Sequence, residues 1–392
     1  MDFDSRSIQW YSATAPTLIL PSEDTKLAYR AEEFPYRFLS PEPLGEGSFG
    51  RVYEVLDCYN KGFVAKFGNL PHAQEGEIHV MAMLRESFQG HPAYKHFSTF
   101  YGWARWPNGP ALSTRFTSSI NTGPVMDKYD GDLFQWQWEA PDKGSLMDRE
   151  LQLWNIAYQL TVALQAIHDG PGTEADWRSI DHCDVHVQNV FFKMTDSSRF
   201  PLIVLADWGL AQYRWAENRP SIVQAKYKIP QRQEHMAEPD IDAIQLGNLL
   251  RQLIHAEIGS DAEGKRLLLR RRRSSGECGY TGVDALKRLH NLLTGEPDSY
   301  WRDGLDAVFS VNMSICRSNS STAMELDTNF SDTSSSRSKR SDTMELDPTV
   351  VISATAALEW IRGEWRDIMP RCYGYSDEAL ELQRLILGID EY

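Results

Sequence analysis

Long apolar runs are missing from this chain: nowhere do about 18 or more apolar residues follow one another, the length that a membrane-crossing helix needs. Its first residues, MDFDSRSIQW, are acidic and carry no apolar stretch of signal type. Cysteine is scarce. The five present (Cys58, Cys183, Cys278, Cys316 and Cys372) include no close pair of the kind that holds zinc. That excludes a disulfide framework and a zinc knuckle, and it points to a reducing compartment. Positive charge is in deficit, with 40 lysines and arginines against 55 aspartates and glutamates, a formal charge of -15. Proteins that live on phosphate-backbone contacts usually show the opposite surplus, so neither nucleic acid nor an anionic membrane is expected as the main partner. The chain reads as soluble and intracellular.

What is there is a globular composition, 42% hydrophobic and 11% aromatic, in 392 residues, which is enough for a sizeable core and about two domains. Most of the 12 tryptophans, such as Trp154, Trp177, Trp360 and Trp365, are expected in packing. Residues 1 to about 37 hold Pro16, Pro21 and Pro35 among mixed polar residues and read as an extended lead-in. From Phe38 onward FLSPEPLGEGSFGRVYEVLD predicts a glycine-turned hairpin, and GFVAKFG a further strand. EGEIHVMAMLRES then has helical spacing, with Glu77, Met81 and Leu84 on one face. FYGWARW and GPVMDKY read as strands joined by a long connection. Residues 148–169 put Leu151, Trp154, Tyr158, Leu160, Ala163 and Ile167 on one face of the best amphipathic helix in the chain. NVFFKM and PLIVLAD follow as strands and DIDAIQLGNLLRQLIHAEI as a helix. Strands with one helix come first and helices later, which predicts two lobes of an α+β fold.

Residues 314–349 are serine-rich, with the near-repeat TAMELDT and DTMELDP, and offer too little apolar surface to offset chain ordering. They read as a disordered insertion. Helical periodicity resumes in ATAALEWIRGEWRDIM and DEALELQRLILGID, and long insertions are tolerated because loop closure grows slowly in cost with length.

Chemistry concentrates in a few places. Gly45, Gly47 and Gly50 in GEGSFGRV leave backbone N–H groups free to approach a phosphate chain, although most glycine hairpins bind nothing. Lys66, on the next strand, could reach those phosphates. Its acidic partner on the following helix is Glu77 or, second, Glu75, because the short spacing keeps both open. The segment SIDHCDVHVQN adds Asp184 and Asn189 five positions apart in front of a strand. As an isolated loop it would more commonly satisfy its own backbone.

Taken together, from about Leu44 to Gly247, these motifs and their order resemble a eukaryotic protein kinase. The resemblance implies a bilobal kinase-like fold: a small, mainly antiparallel β lobe with one helix at about 38–128 and a larger, mainly α-helical lobe from about 129. The domain would span 38–313 and be completed by helices in 350–392. It implies ATP and Mg²⁺ as cofactors and a protein substrate. Leu44, Gly45, Glu46, Gly47, Ser48, Phe49, Gly50, Val52, Ala65, Lys66 and Glu77 would surround ATP. VMDKYDGDL is similar to the kinase hinge, with Met126 as gatekeeper, backbone groups of Asp127 and Tyr129 for adenine, and Asp132 near ribose. HCDVHVQN matches the pattern H-R-D-x-x-x-x-N, so Asp184 would orient the acceptor hydroxyl and accept its proton. Asn189 and Asp207, the latter in ADWGLA with Trp208 for the usual phenylalanine, would be the Mg²⁺ ligands, both hard oxygen donors. His182 would serve in packing, and DAIQLG at 242–247 resembles the buried helix beneath the catalytic loop.

The departures are as informative. Cys183 replaces the arginine that in the family receives a phosphate from the activation segment, so activity should depend little on phosphorylation of 207–232. His186 makes the loop similar to that of aminoglycoside and choline phosphotransferases, which keeps a small-molecule phosphotransferase as the enzymatic alternative and a nucleotide-binding pseudokinase as the non-catalytic one. IPQ at 229–231 stands for APE, and Val351 falls near the place of the buried arginine partner, so both members of that ion pair are expected to be lost together. Gln224 lies near a threonine typical of serine/threonine kinases. The run KRLLLRRRRSS at 265–275 is as readily a solvated face as a nuclear-import patch or a modification site at Ser274. Cytoplasmic placement, with nuclear entry if that run acts, follows.

Overall fold

Glycine sets the first hairpin. β3 (Gly45–Gly47) and β4 (Gly50–Leu56) pair antiparallel with Gly47 opposite Gly50. A Cβ at Gly50 would stand 2.3 Å from the carbonyl oxygen of Phe67, so only glycine lets β4 lie this close to β5 (Gly62–Gly68). In the computed structural model the described residues are 9–12, 37–106, 121–256, 282–296 and 351–388, apart from 41, 48, 49, 58, 69, 70, 140–145, 173–175, 197, 215–220, 222, 228, 233–239, 368, 374 and 375. Ser48, Phe49, most of the lead-in 1–37, the basic run with Ser274 and the serine-rich stretch 314–349 lie outside them.

The small lobe is a seven-stranded antiparallel sheet. Its order is β1 (Gln9–Ser12), β6 (Phe100–Trp106), β7 (Asn121–Met126), β5, β4, β2 (Arg37–Phe38), with β3 on β4. β1 was not expected: four residues of the lead-in pair with Gly102 to Arg105 at the sheet edge. β7 starts inside the stretch expected to be a connection and stops at Met126, because its pairing with β5 covers only Val64 and Ala65. Asp127 to Tyr129 therefore leave the sheet.

Side chains alternate across β5, as strand geometry requires. Phe63, Ala65 and Phe67 join Tyr53, Val55 and Val125 in a small aromatic-rich cluster on one face. Val64 and Lys66 point to the other face, toward α1 (Pro71–Phe88) and the second lobe. α1 is longer than the helix expected, and every residue from 76 to 84 is buried because the helix sits between sheet and large lobe.

The large lobe is built on α3 (Leu146–Asp169), which packs against α4 (Ile241–Ile254), α6 (Ala354–Asp367), α8 (Asp377–Leu387) and the hairpin of β10 (Val190–Thr195) and β11 (Ser198–Leu205); α7 (Met369–Tyr373) lies on α6, and β9 (Ile180–Asp181) pairs with β12 (Gln212–Tyr213). α5 (Gly282–Thr294) lies on α4, at a glycine: a Cβ on Gly247 would stand 2.6 Å from the Thr294 side chain. β8 (Gly131–Asp132) pairs with β10, which brings the inter-lobe connection beside the strand that follows Asn189. The architecture is the expected one, α+β, with a small antiparallel lobe joined to a mainly helical lobe in a kinase-like arrangement. No helix among the described residues is long and apolar enough to cross a membrane.

Candidate functional site

The segment 181–189 has no apolar periodicity and must satisfy its backbone through side chains. α4 supplies them. Asp242, fully buried in the first turn, accepts from the backbone N–H groups of His182 and Cys183, both at 2.8 Å. Gln245, one turn on, accepts from Val185 N at 2.8 Å and donates to the Cys183 carbonyl at 2.9 Å. These four bonds hold Cys183 in a left-handed conformation, φ 65°, that non-glycine residues seldom adopt. The buried His182 ring bonds the Ala206 carbonyl at 3.0 Å, and burial lowers its pKa, as fits a neutral packing group.

At the end of this loop Asn189 donates its amide to the Asp184 carboxylate at 2.8 Å and to the Asp184 carbonyl at 3.0 Å. With both contacts made through nitrogen, its amide oxygen is left for a cation. Asp207 follows β11 at φ 61°, again left-handed, which turns its carboxylate back toward the small lobe. There it meets Lys66, whose Nζ lies 2.5 Å from Asp207 and 2.9 Å from Glu77. Glu77 is thus the partner of Lys66; the side chain of Glu75 lies outside the described ones. Trp208 is buried, and its ring meets Phe97 and His182 edge-on. Its indole N–H finds Ser98 Oγ at 3.0 Å, which is what lets a tryptophan stand in a phenylalanine's place.

Burial pulls the Lys66 pKa down, but the two carboxylates outweigh it and the ammonium is held above its usual value. Burial pushes Glu77 up to about 7 against the pull of Lys66, since one cation faces two acids. Asp184 is held below the usual carboxylate range by His186, whose Nε2 stands 3.5 Å from it, and His186 is raised in return. Burial, with Asp242 and Asp181 nearby, pushes the Cys183 thiol up to about 12, so it is no nucleophile near neutrality.

Between the lobes lies a cavity of about 380 Å³. It gathers Leu44, Gly45, Val52, Lys66, Glu77, Met126, Asp127, Tyr129, Asp132, Asn189 and Asp207 from the residues expected. Its chemistry suits a nucleotide: apolar walls, a cation at the back and two hard oxygen donors fit for Mg²⁺. Asp184 does not line this cavity; it lines a second one of about 400 Å³ and is bonded to Asn189, which lines the first. Some expected residues are elsewhere. Ala65 points into the aromatic cluster on the far face of β5, and Val64, one residue earlier, forms the cavity wall. Glu46 turns outward to pair with Arg51 at 2.9 Å. Gly50 holds the hairpin against β5 and does not line the cavity, and Gly47 closes the turn opposite it. Asp132 caps the short helix α2 (Leu133–Glu139) by accepting from Gln135 N at 2.7 Å, with its carboxylate at the cavity edge. Tyr101 Oη donates to Asp127 Oδ1 at 2.9 Å, and Thr99 N donates to Tyr129 Oη at 3.1 Å. Sequence reasoning missed Val64, Lys128, Asp130, Gly131, Gln135, Gln188, Phe191 and Ala206. Strand parity would have found two of them, Val64 two before Lys66 and Phe191 two after Asn189.

Farther along, Gln231 is exposed and Val351 is half-buried near α5, where Ile352 N bonds the Leu292 carbonyl. Gln224 is fully buried, and its amide accepts from Arg178 N and donates to Arg178 O.

No protein-family model matches the chain. Among curated proteins it is 24% identical over 218 residues to the serine/threonine-protein kinase dkf-1 of Caenorhabditis elegans, covering 53% of this chain and 26% of that protein. It is likewise 24% identical over 219 residues to the serine/threonine-protein kinase dkf-1 of Caenorhabditis briggsae, covering 53% of this chain and 25% of that one. The likeness is to protein kinases. The chain spans about a quarter of the length of these relatives. Distant as it is, the relationship supports a protein kinase-like family and a kinase-type function, in keeping with the two-lobed fold.

Proposed function

We propose that the chain transfers the γ-phosphoryl group of ATP to serine or threonine hydroxyls of proteins, with little dependence on phosphorylation of residues 207–232. The observation that carries this reading is the meeting of Lys66 from the small lobe with Asp207 from the large one at 2.5 Å, at the back of a nucleotide-sized cleft. Adenine would lie between Val52, Val64 and Phe191, against the backbone of Asp127 and Tyr129. Lys66 would hold the phosphates and Glu77 would hold Lys66. Asn189 and Asp207 would ligate Mg²⁺, which supplies charge neutralisation on the transferring phosphoryl group when bound. Asp184, kept ionised by His186 and aimed by Asn189, would orient the acceptor hydroxyl and take its proton. Cys183 offers no charge to a segment phosphate.

His186 beside Asp184 favours a second reading, a small-molecule phosphotransferase of aminoglycoside or choline kinase type, to whose loop this pair is similar. A single assay separates the two. Purified protein with labelled Mg-ATP is offered a protein mixture and, separately, aminoglycosides and choline. Label on protein serine or threonine is expected, with Asp184→Ala slowing transfer by about 10²- to 10⁴-fold. Label on the small molecules alone would move the chain to the second reading, and an unaffected Asp184→Ala variant would end both.

A further inference from the structure

Asp181, one residue before His182, is fully buried, and a carboxylate there has to be compensated. Two arginines compensate it. Arg214 gives Nε and Nη2 to one carboxylate oxygen at 2.9 and 2.5 Å, and Arg232 gives Nη1 to the other at 3.3 Å. The arginines mark the two ends of the segment that follows Asp207. Backbone bonds close the same junction: Tyr213 N donates to the Pro230 carbonyl at 2.8 Å and Arg232 N to the Tyr213 carbonyl at 2.9 Å. Between its ends the segment reaches α1. Tyr227 Oη donates to Glu86 at 2.6 Å, and the Pro230 ring lies 3.8 Å from where a Cβ on Gly76, the neighbour of Glu77, would stand.

We propose that Asp181 is a built-in anion that ties residues 213–214 to 229–232 and, through the contacts of Tyr227 and Pro230 with α1, seats Glu77 against Lys66, with no phosphate on the segment. The inference rests on the kinase reading above. In kinases of the resembled type the segment carries the anion, a phosphate, and the catalytic loop carries the arginine. Here the polarity is reversed. The loop strand carries the carboxylate, the segment carries both guanidiniums, and the position next to Asp184 is an uncharged cysteine. The charge-assisted attraction is the same with donor and acceptor exchanged. His168, Asp181 and Asp242 are also close enough together to suggest a metal site. The Arg214 guanidinium fills that space, with Nη2 at 2.5 Å from Asp181 and 3.5 Å from His168 Nε2, and its charge excludes a cation.

The test uses the full chain treated with phosphatase, as wild type, Asp181→Asn and Arg214→Gln, the last at a side chain one-third exposed that can change without burying a void. Amide exchange read by mass spectrometry reports the clamp whether or not the protein transfers phosphate. In Asp181→Asn, exchange should rise by about tenfold or more at 213–214, 229–232 and in α1 and stay unchanged in α8, which touches none of these groups, with Arg214→Gln showing the same pattern more weakly. Should Asp181→Asn fail to fold, the Arg214→Gln pattern decides. Dephosphorylated wild type should transfer at its untreated rate, and Asp181→Asn should lose about tenfold in kcat with KM for ATP nearly unchanged. Exchange that is unaltered at 213–214 and 229–232, or that rises equally in α8, would overturn the proposal. So would loss of wild-type activity on phosphatase treatment. A wild type that transfers nothing, yet shows the local exchange pattern on substitution, would leave the clamp standing and bring down only the kinase reading.

Discussion

Val64 and Ala65 are neighbours with opposite surroundings, and the cleft depends on which of them faces it. Val64 packs toward Met126 and the cavity, whereas Ala65 sits among Tyr53, Phe63 and Phe67. Val64→Phe is therefore expected to fill the space for adenine and abolish nucleotide binding, with a melting temperature near that of wild type. Ala65→Phe should leave binding in place and overpack the aromatic cluster, costing about 1–3 kcal/mol in urea unfolding. Titration with a fluorescent ATP analogue, beside the two unfolding curves, checks both, and the reverse outcome would exchange their places. This is also where the sequence was legible in kind and not in detail. The gathering of Lys66, Glu77, Asn189 and Asp207 at one cleft, with Asp184 bonded to Asn189, agrees with what residue type and order led one to expect, while the roles given to them are proposals. Ala65 was misplaced because adjacency in sequence was taken for adjacency at the site, when a strand sends every second side chain to the other face. Asp181 was passed over because its role depends on Arg214 and Arg232, whose nearness comes only from the folded segment.

Among the elements, the short 3-10 turn at Pro92–His96 ties the helix α1 to β11. His96 Nδ1 bonds the Ile203 carbonyl at 3.0 Å, which requires the proton on that nitrogen, and burial lowers the His96 pKa to about 4 from an ordinary 6.5. The unfolded chain takes up its proton near 6.5 and the folded one near 4, so stability from this group is complete above 6.5 and falls as pH drops toward 4. At about 1.36 kcal/mol for each pK unit, the full loss is about 3 kcal/mol. His96→Asn, whose amide can still donate to Ile203, should unfold in urea with a pH dependence between 7 and 4 that is shallower by about that amount. An identical dependence would show that His96 titrates normally. Elements with strong periodicity, such as α3 and α4, stood out in the sequence because one broad buried face repeats over several turns. β1 did not, since four residues carry no period of their own and owe their extended form to pairing with distant β6. The end of β7 at Met126 was hidden for a similar reason: whether Asp127 continues a strand is decided by its neighbour β5, not by Asp127 itself.

At the scale of the molecule, the two lobes meet over an excess of negative charge. Lys66 is shared between Glu77 and Asp207, while Asp127, Asp130 and Asp132 rim the same cavity in a chain of net charge -15. ATP alone brings four more negative charges to this field, so its binding is opposed unless a divalent cation accompanies it. Thermal unfolding of the full chain should therefore rise with ATP and Mg²⁺ together and little with ATP in EDTA. With ligand at 100 times its Kd the gain is about 2.7 kcal/mol, provided that the nucleotide binds only the folded state. Asp207→Asn removes one negative charge and replaces a proposed carboxylate ligand with a weaker, neutral amide oxygen. It should accept ATP without Mg²⁺ better than wild type does, gain less stability than wild type when Mg²⁺ is added, and lose turnover. Equal stabilisation of the wild type by ATP with and without Mg²⁺ would remove Asn189 and Asp207 from the role of metal ligands, because repulsion among these acids would then not be what the cation relieves.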